Sequence, residues 1–498
     1  MLTKNKRRWK TGWLACTLLA AIALTACTSS GGKEKGGIGG LDKDQAGTLK
    51  IAYFDEQAFL MQYGNAFQAM FPNLTLEVVS TQSTFDAEDP AEAMEKLLEE
   101  QQPDVLFVTE EQYAKLAASG KLYDLEAAVK QDQFDLSAFV PAAIDLLKAR
   151  GGGKLYGLSP SFSSQALYYN KEMFDKYGVP YPTDGMSWDD VLRLAARFPV
   201  QKDGDNAWSG LFPSSQTTDA FDLIRRIGEA KGLLYADADT GKLSIDTPEW
   251  KAIFQKVIEG YQSGSIYLPG SDAGGGKNRA MVSMRGVGGG KTFNLGPDSM
   301  KFIGGQAAMT IDSSMLMDML GAQGTGAGGK MRVSAQASEG GEGPKGGPAP
   351  IKSFDWDMVT VPVDPSQPDV AGGFSLDGVF AINASAQNLP GAWELLKYAN
   401  GEQLAKSSAK SGLTLSTRSA YKRQAEGKNV DALYALGANE QVLLQALPEE
   451  FAKSFAELAS DHVKRVVGET ESLDEALKAI QSGGQDLLTK AGLESEEG

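Results

Sequence analysis

The feature that most constrains this chain is the rhythm of its first ordered stretch, in which strand-like runs alternate with helix-like ones. Thr48-Leu-Lys-Ile-Ala-Tyr-Phe54 alternates as a strand, and Phe59–Phe71 carries apolar residues at helical spacing. Leu74–Val79 alternates again, Pro90–Gln101 reads as a helix, and Asp104–Val108 is a short apolar strand. Strands separated by helices can lie parallel, because each helix carries the chain back across the sheet. The pattern therefore predicts a doubly wound α/β lobe. Further on, Ser187-Trp-Asp-Asp190 and Ser472-x-x-Glu475 are capping boxes that open helices. Trp188, Trp250 and Trp393 fall on amphipathic helices and are expected in the core. Two Gly-rich stretches, 270–290 and 321–350, are expected to be surface loops.

The N-terminus constrains location. Lys4, Lys6, Arg7, Arg8 and Lys10 precede an almost wholly apolar run from Trp13 to Leu24. That run falls short of the ~20 residues a membrane-spanning helix needs and has the length of a signal-peptide core. It ends in Leu24-Thr25-Ala26-Cys27, which looks like a lipobox. Residues 1–26 are thus predicted to be a lipoprotein signal peptide. Residues 27–47 are predicted to be a flexible tether lipidated (diacylglycerol, palmitate) at Cys27, since a Gly/Ser/Lys-rich stretch cannot bury enough apolar surface to order. Two acyl chains give stable anchorage. The expected location is the extracellular face of the cell membrane, in a Gram-positive cell. Cys16 leaves with the leader, so no internal disulfide is expected.

Composition excludes several functions. The formal net charge of −16 becomes −21 once the five basic residues before Cys27 are removed. So acidic a chain lacks the Lys/Arg surface that nucleic acid requires. A single histidine, His462, leaves no HExxH site and no Ser-His-Asp triad. It is expected on the polar side of a C-terminal helix. Gly286–Thr292 lacks the first glycine of a phosphate loop, since Arg285 occupies its place. Gly324-x-Gly326-x-x-Gly329 matches a dinucleotide pattern but follows a helix rather than a strand. Asp237-Ala-Asp239-Thr-Gly241 and Asp203-Gly-Asp-Asn206 read as turns and not calcium loops. No spacing singles out an acid pair for glycoside hydrolysis. No catalytic residue, metal or cofactor is predicted.

Between Asp104 and Phe198 an ordered set of motifs becomes specific. Asp104–Val108 is followed by Leu116–Leu125, Gly153-Lys-Leu-Tyr-Gly-Leu-Ser159, Ala166-Leu-Tyr-Tyr-Asn-Lys-Glu-Met-Phe174, Gly178-Val-Pro180 and Ser187–Asp190. Gly305–Ile311, Gly372–Asn383 and Ala392–Tyr398 follow in turn. In this order and spacing they resemble the family 1 extracellular solute-binding proteins of ABC importers, the group that includes maltose-binding protein. The likeness covers nearly the whole mature chain. It departs from the family at Leu415-Ser416, where a proline often stands, and in the long Gly-rich stretches.

The resemblance implies a two-lobe, periplasmic-binding-protein-like (type II) α/β fold with ligand in a cleft between the lobes. The N-terminal lobe would hold residues 48–161 and 378–435, and the C-terminal lobe 166–371 and 440–490. The chain would cross near Phe162–Gln165, Phe374–Asp377 and 433–440. Ligands of open α/β sheets lie beyond strand carboxyl ends, so the implied contacts are Tyr53, Asp55, Glu56, Thr109 and Glu110. Phe162, Ser163, Phe374 and Asp377 would contribute from the crossings, and Trp208, Phe212, Ser314 and Met315 from the second lobe. Phe162 and Phe374 are expected at the cleft floor, offering flat faces to a sugar ring. The implied function is capture of a polar solute, an oligosaccharide first, for delivery to ABC permease subunits. A binder of peptides or other small solutes, a surface sensor and a polysaccharide-degrading lipoprotein are the alternatives.

Overall fold

The computed structural model describes residues 38–492, apart from 86, 88, 202–207, 215, 216, 218, 239, 270–280, 286–291, 296–300, 325–333, 337–352, 412–413 and 440–446. Cys27 with residues 28–37, Asp203–Asn206, Asp239, Gly286–Lys291, Gly326 and Gly329 lie outside the described residues. The rest of the expected tether is not free of the fold: Ile38 is buried in the first-lobe core, its carbonyl accepts from the Gln131 side chain, and Gly47 already begins the first strand.

The first lobe is built on a five-stranded sheet in the order Leu74–Ser80, Gly47–Tyr53, Val105–Val108, Val379–Ile382, Gly157–Leu158. The first three strands run parallel, as the alternation predicts. Val379–Ile382 returns late in the chain and pairs antiparallel with both of its neighbours. Leu49, Ile51, Val105, Leu106 and Val379–Ile382 are all buried, as expected of a sheet covered on both faces. Buried Asp104 fastens the late strand to the early ones. Its Oδ2 accepts the Lys50 N–H, and its Oδ1 accepts the amides of Gln387 and Asn388. Each is a charge-assisted bond in a dry setting. The helix expected over Phe59–Phe71 starts at Glu56, capped by Asp55, and contains a π-helical turn at Leu60–Gly64.

The second lobe holds a four-stranded sheet in the order Trp356–Thr360, Gln165–Asn170, Ala307–Ser313, Ser209–Phe212. One face packs on a core that includes Trp250, Phe254, Phe455 and Leu477. Leu316, Met317 and Leu320, from the helix Ser314–Gly324, join a second core cluster together with Tyr168 and Met358 of the sheet. Both capping boxes form, at Ser187/Asp190 and Ser472/Glu475. Trp188, Trp250 and Trp393 are buried, as their helical positions require.

Three expectations change. The Gly-rich stretches are not only loops: Met281–Arg285 pairs antiparallel with both Thr292–Leu295 and Ser334–Gln336. Short alternating segments inside a Gly-rich background are easily lost to composition. His462 is buried, and its Nδ1 lies 2.9 Å from the Glu471 carboxylate. That contact comes from the turn leading into the next helix, which helix periodicity cannot show. Residues 422–434, expected in the first lobe, bond largely to the second. Arg423 pairs with Asp318, Lys428 with Asp355, and the Asn429 amide donates to Asp357.

Candidate functional site

Short strands run between the two sheets. Ser161–Ser163 is flanked by Ser375–Leu376 and Leu415–Ser416, both antiparallel to it. Val370–Ala371 pairs in parallel with Gly437–Ala438. A strand sends alternate side chains to opposite faces, and here the two faces differ sharply. On one, Phe162 and Phe374 stack at 4.9 Å between ring centroids, and Tyr434 meets Phe162 edge-on at 5.3 Å. On the other, the Ser163 hydroxyl donates to Asp377 Oδ1 at 2.6 Å. Asp377 stays solvent-exposed yet ringed by protein. Partial desolvation lifts its carboxyl above the usual range, against the opposing hydrogen bond from Ser163.

The first-lobe strand ends meet this polar face. Burial pushes the Tyr63 phenol well up, helped by Tyr53 and by the nearby charge of Asp377. Gln62 links the two phenols: it accepts from the Tyr53 hydroxyl at 3.3 Å and donates to the Tyr63 oxygen at 2.9 Å. Glu110 opens the helix Glu110–Ala118, and its Oε1 accepts the backbone N–H of Leu376 at 2.5 Å. Its Oε2 lies 3.7 Å from Arg150 Nε. Burial raises the Glu110 carboxyl, while the Leu376 amide and Arg150 oppose the shift. Glu110 therefore ties the first lobe to a crossing strand. Phe107, at the end of its strand, lies over the backbone of Gly378, where a Cβ would come within 2.2 Å of its ring.

The predicted contacts separate into groups. Ser163 and Asp377 come together on the open polar face, while Glu110 joins the crossing through its amide bond. Tyr53 is buried against Phe59, Tyr63 and Phe107, its phenol pushed up to about 12 by burial. Asp55 accepts the Ala58 amide as a helix cap, and Glu56 is exposed beside it. Thr109 is likewise spent on a capping box with Gln112. The expectation that Phe162 and Phe374 offer open faces is corrected, because both are buried and each covers the other. Trp208 stacks on Tyr177 in the second lobe, and Phe212 is buried against Tyr267, so neither presents a free face. Ser314 is buried, and Met315 is half-buried against the core.

Sequence reasoning passed over Phe54, Gln62, Tyr63 and Arg150. Phe54 is 43% exposed and Met61 76%, so these two apolar side chains stand in solvent just past the first strand. Strand alternation held no signal for Phe54, since the sheet is covered on both faces and Ala52, on the same side of the strand, is buried; Phe54 is exposed because it lies just past the strand end.

Two α/β lobes joined by short crossing strands, with a hydroxyl and a carboxylate on the crossing, define a two-lobe, periplasmic-binding-protein-like architecture. The chain belongs to the bacterial extracellular solute-binding protein family, whose model it matches over residues 62–435. A curated binding protein of Brucella abortus (strain 2308) is 28% identical over 107 residues, 22% of this chain and 25% of that one. The chain thus spans about a quarter of the length of the curated relatives it matches. The sugar-binding protein MalE from Xanthomonas citri superposes with a TM-score of 0.57 at 14% identity, over 89% of this chain and 98% of that one. An ABC substrate-binding protein from Listeria monocytogenes, solved with cycloalternan, gives 0.51 at 18% identity, over 89% and 97%. At such identities the likeness shows the fold. Among the described residues no helix is long and apolar enough to cross a membrane, and no His/Cys/Asp/Glu group could hold a metal.

Proposed function

We propose that this chain is a lipid-anchored receptor that captures a polar solute, an oligosaccharide, between its lobes and passes it to the permease of an ABC transporter without chemical change. The observation that carries the reading is the polar face of the crossing. Asp377, oriented by Ser163, is an open carboxylate that can accept a hydroxyl proton, and Phe54 stands exposed beyond the neighbouring strand end. Carboxylate acceptors and aromatic faces are the pair of contacts a sugar needs. The names of the Xanthomonas and Listeria neighbours support the same solute class. Anchorage at Cys27 rests on the lipobox and its polar tether.

A thermal-shift screen of the purified protein against oligosaccharides, monosaccharides and peptides tests the solute, because a ligand held only by the folded state raises the melting temperature. Oligosaccharides should give the largest rise. A rise with peptides alone overturns that choice, and turnover of a glycan by the protein overturns the receptor reading. Cys27→Ala should move the protein from the membrane fraction to the medium; continued sedimentation with membranes refutes the anchor.

A further inference from the structure

The π turn at Leu60–Gly64 interrupts the helix that runs from Glu56 to Met70, and turns of this kind gather at functional sites. The Asn65 N–H reaches back to the Leu60 carbonyl, so one extra residue is taken into the turn. Gly64 makes room for it, since a Cβ there would come within 2.8 Å of Leu60 and 3.0 Å of Phe59. On a regular α-helix, side chains next to each other in sequence do not face each other. Here Gln62 and Tyr63 do, and the amide Nε2 of Gln62 donates to the Tyr63 phenol oxygen at 2.9 Å.

The same amide is held from its other end. The Tyr53 hydroxyl, at the close of the first strand, donates to Gln62 Oε1 at 3.3 Å. Both tyrosines are buried, at 6% and 4% exposure, while Gln62 is exposed. A glutamine amide has two N–H donors and two acceptor lone pairs, and each phenol engages one of them. One N–H and one lone pair are left without a partner among the described residues. They sit side by side on a planar group that the protein already orients. Little further ordering is then needed when a ligand meets them.

The place is the end of the sheet where the crossing begins. The Tyr53 ring lies 4.9 Å from that of Phe107, Phe107 covers Gly378, and the charge of Asp377 reaches Tyr63. The polar groups already found there mostly accept. Asp377 and Glu110 are carboxylates, and Ser163 spends its proton on Asp377. A sugar hydroxyl both donates and accepts, so a groove of acceptors alone leaves its oxygen lone pairs unmet.

We propose that Gln62 is a specificity-determining residue of the solute groove and reads two adjacent hydroxyls of the sugar. One hydroxyl oxygen accepts the free Gln62 N–H, and the neighbouring O–H donates to the free lone pair of Oε1. This rests on the chain being a sugar receptor, and it supplies the donor that the Ser163–Asp377 pair lacks.

The test compares the purified protein with Gln62→Met and Gln62→Glu, by melting and by calorimetry, against maltotriose, cellotriose, xylotriose and raffinose. Methionine keeps the reach of the side chain without its polar atoms. Glutamate keeps the reach and accepts from both phenols but has no N–H to offer a sugar. For the sugar that raises the melting temperature of the unaltered protein most, both variants should bind roughly tenfold more weakly, as the loss of one or two hydrogen bonds does. Their melting temperatures without sugar should match that of the unaltered protein. Undiminished binding by Gln62→Met overturns the proposal. So does full binding by Gln62→Glu, which would leave Gln62 only the task of holding the phenols. If Gln62→Met melts low on its own, Gln62→Glu decides alone. If no sugar raises the melting temperature of the unaltered protein, the receptor reading falls and this inference falls with it.

Discussion

Phe162 and Ser163 are neighbours on one crossing strand, and they meet opposite surroundings. Phe162 is fully buried, with Phe374 stacked on one side and Tyr434 edge-on at another. Ser163 points the other way and orients Asp377 in the open. The partner strand repeats the division, with Phe374 and Leu376 buried and Asp377 exposed. A ribbon this thin cannot bury both faces. The aromatic residues that look like sugar platforms in the sequence pack against one another in the crossing, so the proposed solute contacts are those of the polar face, with exposed Phe54 as an outlying lip.

The comparison breaks most readily at Phe162. Phe162→Ala should cost about 3–5 kcal/mol of stability, because the stacked ring leaves a cavity that its neighbours cannot close. Denaturant unfolding of the variant measures this, and a loss below about 1 kcal/mol would mean that the ring faces solvent. Asp377→Asn should do the reverse, weakening binding of the solute found by screening by roughly 10- to 100-fold, or about 1.5–3 kcal/mol, with the unfolding midpoint nearly unchanged. Calorimetry alongside a melt separates the two effects.

Acidification sharpens the contrast. The carboxyls of Asp377 and Glu110 are both raised by burial, so the folded protein holds their protons more tightly than the unfolded chain. Their contribution to stability is then fully present below the unfolded values and is lost as pH rises through the folded ones. Solute affinity should run the other way, falling as pH drops through the raised Asp377 value, because a protonated carboxyl is a poorer acceptor. Urea midpoints and affinities measured from about pH 7 down to about pH 4 should therefore diverge, and Glu110→Gln should flatten the stability slope while sparing the affinity slope. The smallest effect is expected at the lip. Phe54→Ala should weaken solute binding by about 0.5–1.5 kcal/mol, the value of a stacked aromatic contact, and shift stability by less than about 0.5 kcal/mol, as exposed positions do.

Local signals in the sequence carried much of the architecture. The parallel strands Gly47–Tyr53, Leu74–Ser80 and Val105–Val108 follow from alternation and spacing. Ser187/Asp190 and Ser472/Glu475 needed only four residues each to be recognised as caps. Ser163 and Asp377 were legible through the family resemblance. What stayed hidden depends on distant partners. A polar residue at a strand end can meet a ligand or cap the next helix, and Thr109 and Asp55 do the latter. An aromatic on a crossing can face solvent or another aromatic, and Phe162 finds Phe374 far along the chain. Trp208 and Phe212 looked available beside a turn, but Tyr177 and Tyr267 cover them.

The buried carboxylate of Asp104 has a bearing on how the chain matures. Its lone pairs are filled by Lys50 from the first strand and by Gln387 and Asn388 from beyond the fourth. As the polypeptide emerges N-terminus first, the opening half of the first lobe is born with a bare sheet edge and an interior acid met only by the Lys50 amide. Neither is relieved until Val379–Asn388 arrives, after the sheet strands of the other lobe. Such late, long-range closure makes for slow assembly. Were the chain exported under the signal peptide expected from its sequence, that slowness would leave it loose enough to thread a narrow pore, with the last tie fastened only once most of the sequence is through.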